Sequence, residues 1–142
     1  MSNNITFTST PYEQTTVYTN AGGTVTVDLM ASSSVDMRIY GILAQSTDSV
    51  SRIINLRLTN GPISYQLALI TIAANAGNTT AIALTDIFNH VNVAPLFQTQ
   101  IDANSSYYFN IPAGWKLQGS MQNNPPTAGS TITVKLFGEL YG

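Results

Sequence analysis

Ser105-Ser106-Tyr107-Tyr108-Phe109-Asn110-Ile111-Pro112-Ala113-Gly114-Trp115-Lys116-Leu117-Gln118-Gly119-Ser120-Met121 contains two stretches with a two-residue rhythm and a turn between them. Ser105 to Ile111 is aromatic and β-favouring. Pro112-Ala113-Gly114 ends it, since proline cannot donate to a ladder and glycine accepts positive φ. From Trp115 the alternation resumes, with Trp115, Leu117 and Met121 on one face and Lys116, Gln118 and Ser120 on the other. One face is core and the other is wet. Asn123 to Ser130 reads as a loop. Thr131 to Phe137 then alternates with Ile132, Val134 and Leu136 inward, a phase that continues through Gly138 to Leu140.

The same rhythm runs backwards through the chain. Ile5 to Thr8 alternates as a short strand or ordered arm, and Pro11 after it suits an edge or a break. Gln14 to Thr19 favours β structure and ends at Asn20-Ala21-Gly22-Gly23. Thr24 to Leu29 places Val25, Val27 and Leu29 inward. Val35 to Ala44 places Val35, Met37, Ile39 and Gly41 on one face, against Asp36, Arg38 and Tyr40. Val50 to Leu58 and Ile63 to Ala73 flank Asn60-Gly61-Pro62, the clearest hairpin signal in the chain. Helical spacing occurs once, at Leu84, Ile87, Phe88 and Val91, and predicts a helix of one or two turns. Seven or eight strands with one short helix and no βαβ alternation predict an all-β fold: an antiparallel β-sandwich, jelly-roll-like.

At 142 residues the chain is one domain's worth, enough to bury roughly 68% of its unfolded surface. The expected organisation is a single sandwich over 1–142, with 1–11 as an N-terminal arm. Cysteine is absent, so disulfides and thiolate metal sites are excluded. Charged residues make up only 8% of the chain, about a third of the usual roughly 25%. Solubility therefore rests on neutral polar groups. A net charge of −2 with five scattered basic residues offers no phosphate-binding footprint, so no nucleic-acid partner is expected. No apolar run approaches the ~20 residues of a membrane-spanning helix, and Met1-Ser2-Asn3-Asn4 opens without a secretory pattern. A chain of few charges and many Thr, Asn and Gly suits a domain that lies against a neighbour, because little like-charge repulsion opposes close packing.

The chemical inventory is thin. His90 is the sole histidine and lies four residues after Asp86, so the two would share a helical face. No Gly-x-Ser-x-Gly elbow presents a nucleophile to it, and His90 reads as a structural residue. One histidine and no cysteine cannot easily supply a zinc site. Asp48 and Asp102 lie in loops, but no calcium-loop run surrounds them. Asp36 and Arg38, two apart on one face, read as a weak solvated pair. The expectation is no enzyme, no cofactor and no metal.

Aromatic residues supply the binding candidates. Tyr107, Tyr108 and Trp115 flank the Pro112 turn and form a candidate ligand-stacking set, although strands are rich in aromatics on packing grounds alone. Phe137 and Tyr141 have the parity opposite to Ile132 and Val134, so two large rings face outward on the last strand. With Phe7 and Tyr12, in and beside the N-terminal arm, they are the candidate interface residues. The segments Ile5 to Pro11 and Gln122 to Ser130 read as extended and outside the sandwich, and are expected to reach neighbours.

From Thr71 to Tyr141 the order is a strand end, Ala73-Ala74-Asn75-Ala76-Gly77, a segment with Asp86-Ile87-Phe88, Tyr108-Phe109-Asn110-Ile111-Pro112-Ala113-Gly114-Trp115-Lys116-Leu117, and a Thr-rich strand closing in Gly138-Glu139-Leu140-Tyr141. This resembles small structural proteins of tailed bacteriophages, whose carboxyl halves carry a Tyr-x-x-Leu-Pro-Ala-Gly-x-x-Leu hairpin and a final strand ending in Gly-x-x-Tyr. Ile111 stands where leucine is usual. The resemblance covers about half the chain and rests on turn chemistry. It implies a virion protein of the capsid decoration (cement) type, made in the host cytoplasm and placed on the capsid surface. Its implied partners are the major capsid protein and copies of itself, as a homotrimer. The alternative expectation is a receptor- or glycan-binding module of a tail or fibre.

Overall fold

A computed structural model describes residues 9–98, 100–102 and 104–141. The chain runs through β1 (Ser9–Thr19), β2 (Val27–Met30), β3 (Asp36–Ser46), β4 (Arg52–Thr59), β5 (Ser64–Ile72) and the two-residue β6 (Thr85–Asp86). After one helical turn, α1 (Ala94–Phe97), come the two-residue β7 (Gln100–Ile101), β8 (Tyr107–Ile111), β9 (Lys116–Met121) and β10 (Thr131–Tyr141). The Asn60-Gly61 signal is the β4–β5 hairpin. Gly61 sits at φ 103°, and Asn60 bonds Ile63 through both backbone and side chain.

The topology follows from one operation. Leaving aside the short β6 and β7, the first strand pairs with the last: β1 with β10, β2 with β9, β3 with β8 and β4 with β5, all antiparallel. That is one long hairpin. Rolling it up adds the β10–β3 and β9–β4 ladders and separates two sheets, β1-β10-β3-β8-β7 with β6 beside β3, and β2-β9-β4-β5. The result is a jelly roll. The sheets are called A and B below, in that order.

Period-two alternation fills the space between them. Ile39 and Ile42 of β3, Ile54 and Leu56 of β4, Ile70 and Ile72 of β5, Leu117 of β9 and Ile132, Val134 and Leu136 of β10 are all buried in one core. Each such side chain contributes about 1.5–3 kcal/mol of transfer free energy. Gly119 faces the same space, where a Cβ would come within 2.7 Å of the Tyr18 hydroxyl and 3.0 Å of the ends of Ile54 and Leu29. The absence of a side chain there makes room for the Tyr18 ring to enter the core.

Several expectations are corrected. β2 starts at Val27 rather than Thr24: Val25 is 66% exposed, and an irregularity between Asp28 and Met30 turns Leu29 and Met30 both inward. In β3 the pairing jumps from Ile39↔Gly138 to Gly41↔Phe137, leaving Tyr40 as the extra residue of a bulge. Inward positions change parity there, so Ile42 and Ala44 are buried and Gly41 lies on the outer side beneath Phe137. The predicted helix over Leu84 to Val91 is absent. Leu84 and Val91 are exposed, whereas the adjacent Ile87 and Phe88 are both buried.

The sheet wins that segment because β8 covers β3 only as far as Ile39. Beyond it, β6 pairs with Leu43 and Ala44, and the N–H groups of Ile87 and Phe88 donate to the Ile42 carbonyl. The helical turn lies further on, at Ala94–Phe97, with Pro95 in its first turn. The 122–130 loop is also not free. Pro126 is buried, its carbonyl accepts from Asn20 at 3.0 Å, and Thr127 is held by Asp48 and Arg52. Of the expected arm over 1–11, residues 9–11 are not free but begin β1, where Pro11 lies opposite Glu139 on the edge strand, and residues 1–8 lie outside the described residues.

Candidate interaction surface

The outward face of sheet A is built by register. Across β1, β10 and β3 the rows are Val17–Thr133–Gln45, Thr15–Lys135–Leu43, Glu13–Phe137–Gly41 and Pro11–Glu139–Arg38. Val17 is 53% exposed and Phe137 37%, and Leu84 adds a further open apolar side chain at the β3 side. Leu43, Gln45, Leu84, Thr133 and Lys135 line a shallow hollow of about 190 Å³. The single ion pair of this region, Lys135 Nζ to Glu13 Oε1 at 2.8 Å, joins two side chains that are each at least half exposed; such pairs contribute little. The face is therefore broad, nearly neutral and partly apolar.

Beyond the bulge the same face holds a clasp. The guanidinium carbon of Arg38 lies 4.3 Å from the centre of the Tyr108 ring and 4.2 Å from that of Tyr141, one cation between two aromatic faces. Strand order accounts for it, because β3 runs between β10 and β8 and its outward Arg38 must meet outward residues of both. Tyr40, the bulge residue, stands at the edge of this clasp, its ring centre 6.0 Å from that of Tyr108. The Tyr141 hydroxyl donates to Glu139 Oε2 at 2.6 Å, a bond that pushes the phenol's pKa up because ionisation would destroy it. Asp102, at the neighbouring loop, accepts from the N–H of Ser106 at 2.9 Å and of Asn104 at 2.8 Å, which holds its carboxyl below the usual range.

The sequence candidates scatter across this map. Phe137 and Tyr141 both lie on the outward face, Phe137 open and Tyr141 against Arg38. Tyr12 points the other way, packing against the core with its hydroxyl bonded to Gln14; even-numbered residues of β1 face inward. Phe7 lies outside the described residues. Tyr107, Tyr108 and Trp115 do not form one platform. Trp115 stacks on Tyr65 of sheet B, centres 6.0 Å apart and planes 14° apart, Tyr108 is taken by Arg38, and Tyr107 is 46% exposed. Adjacent strand positions point to opposite faces, so Tyr107 and Tyr108 separate of necessity.

Asp36 and Arg38 do not pair. Asp36 accepts the Ala113 N–H at 3.0 Å, fixing the β8–β9 turn, while Arg38 goes to the tyrosines. His90 Nδ1 accepts the Asn92 N–H at 3.1 Å and Asp86 caps Asn89, so the two stabilise separate turns. Asp48 accepts from Val50, Arg52 and Thr127, with both oxygens engaged. Among the described residues no group of three His, Cys, Asp or Glu side chains converges as metal ligands, and no helix is long and apolar enough to cross a membrane. The outward run Asp36-x-Arg38-x-Tyr40 and the candidates Tyr108 and Tyr141 were each visible in the sequence, but their convergence on one cation was not. Comparison with protein-family models, curated proteins and solved structures finds no match to this chain.

Proposed function

We propose that this chain is a structural component of a bacteriophage virion, of the capsid decoration (cement) type. In this reading it assembles as a homotrimer on the capsid surface and bridges the major capsid subunits. The observation that carries it is the outward face of sheet A, where Val17, Phe137 and Leu84 stand open on a nearly neutral sheet. Exposed apolar side chains on a rigid, low-charge face are suited to burial against another subunit. The turn chemistry shared with tailed-phage structural proteins supports the same role. Jelly rolls also occur in lectins and cupins, so the fold alone assigns nothing.

The role requires no bond to be made or broken. A protein that binds only the assembled shell stabilises it by mass action, and a bridging contact of about 800 Å² on each side suffices for specific association. Two measurements test this. Light scattering at micromolar concentration is expected to give the mass of three chains; a strict monomer rejects the trimer. Particles stripped of the protein are expected to release packaged DNA at a lower temperature than intact ones, and Phe137→Asp is expected to fail to restore them. Unchanged release temperature on stripping rejects the cement role.

A further inference from the structure

On the flank of sheet A, beside the clasp, Tyr40, Phe88, Asn89, Ser105, Ser106 and Tyr107 surround a groove of about 350 Å³. That volume falls at the lower end of small-molecule sites. Phe88 is 3% exposed, whereas Tyr107 is 46% exposed on the rim. Asn89 is held rigid from both sides, its Nδ2 on Asp86 Oδ2 and its Oδ1 accepting from Gln98 Nε2. Ser105 occupies the left-handed region at φ 63°. Among the described residues neither the Ser105 nor the Ser106 hydroxyl has a hydrogen-bond partner, and the Tyr107 hydroxyl has none either. The groove therefore combines aromatic surface with unengaged hydroxyls.

Its electrostatics narrow the ligand class. None of the six lining residues is charged. The amide groups of Asn104 and Ser106 that would otherwise form an anion cradle already donate to the Asp102 carboxylate, and the Ser105 N–H donates to the Asp102 carbonyl. A phosphate or sulfate would meet that built-in anion. Arg38 is clasped between Tyr108 and Tyr141 and does not line the groove. A wholly apolar ligand would bury the serine hydroxyls without partners. The chemistry that remains is a molecule with one C–H-rich face and neutral hydroxyl edges. We infer that this groove is a binding site for a neutral saccharide, with the Tyr107 ring against a pyranose face and the Ser105 and Ser106 hydroxyls on its edge. The inference is independent of the capsid reading and rests on different residues.

The test is an amide NMR titration of the full chain with D-galactose, N-acetyl-D-glucosamine and lactose as probes, and with inorganic phosphate for comparison. At least one sugar is expected to give saturable shifts at Asn89, Ser105, Ser106 and Tyr107 with millimolar affinity, and phosphate none. Tyr107→Ala is expected to weaken that binding on the order of tenfold. Ser105→Gly, which removes the hydroxymethyl group and tolerates the left-handed backbone, is expected to weaken it about fivefold. No saturable shift with any of the three sugars overturns the inference. So does binding that both variants leave intact, or shifts centred instead on Tyr65 and Trp115.

Discussion

Gly41 and Gly138 lie near the β3 bulge, and each leaves its Cβ position to another atom. At Gly41 that atom belongs to a side chain: an added Cβ would stand 2.2 Å from Cε2 of the Phe137 ring, which is 37% exposed and able to swing away. At Gly138 it is backbone: the Cβ would stand 2.1 Å from the Arg38 carbonyl oxygen, inside a ladder that cannot move without breaking pairs. The same substitution therefore has different consequences. Gly41→Ala is expected to cost about 1 kcal/mol, and Gly138→Ala about 3 kcal/mol or more. In a Phe137→Ala background the first cost should vanish and the second persist, which urea denaturation of the three single and two double variants reads directly. Equal costs, or a Gly41→Ala cost that survives removal of the ring, would contradict the assignment. Neither reason was visible in the sequence, where each glycine interrupts a strand pattern and the atom that excludes a side chain belongs to a strand distant in sequence.

The 122–130 loop shows how an element that reads as loose is secured. Asp48 is fully buried and accepts from the Val50 N–H at 3.0 Å, the Thr127 N–H at 2.9 Å, the Thr127 hydroxyl at 2.9 Å and Arg52 Nε at 2.9 Å. Burial alone would raise its pKa, but the donors from Thr127, Val50 and Arg52 outweigh burial and hold the carboxyl well below the usual range. A folded-state pKa below the unfolded one means that the stabilisation is fully present above the unfolded value of about 4 and is lost as pH falls below it. Asp48→Asn is expected to cost about 2–4 kcal/mol at neutral pH, since it removes the carboxylate that pairs with Arg52 and places an amide group against N–H donors. It should also lose less stability than the parent between neutral pH and about pH 3; parallel losses would show that Asp48 is not the responsible group. Strand identity was legible because alternation and Asn-Gly or Pro-x-Gly turns are local signals, and β4, β5, β8, β9 and β10 lie close to where they were expected. The bulge at Tyr40, the pinning of Thr127 and the loss of the 84–91 helix were not, because each depends on a partner strand or loop brought in from elsewhere.

At the scale of the molecule the rolled hairpin brings the two ends of the described chain together: Ser9 pairs with Tyr141, and the β1–β10 ladder continues without a break to Thr19 and Thr131. This ladder is long and joins the most distant strands in the sequence, so its closure carries the largest chain-entropy cost of any pairing in the fold. Strands whose ends already touch can be joined by a short linker at little strain. The β4–β5 hairpin offers a site for new ends, because Gly61 and Pro62 are exposed and no Cβ contact surrounds Gly61. A circular permutant opened between Gly61 and Pro62, with a Gly/Ser linker from residue 142 to residue 9, is expected to keep the β-rich circular dichroism spectrum. Making β1–β10 a local hairpin should speed refolding several-fold, while the now non-local β4–β5 pairing makes unfolding at that edge easier. Stopped-flow refolding of parent and permutant measures both limbs. A permutant that folds no faster would mean that β1–β10 closure does not limit assembly of the roll, and one that fails to fold would mean that the outermost ladder is not the joint that the Ser9–Tyr141 register makes it.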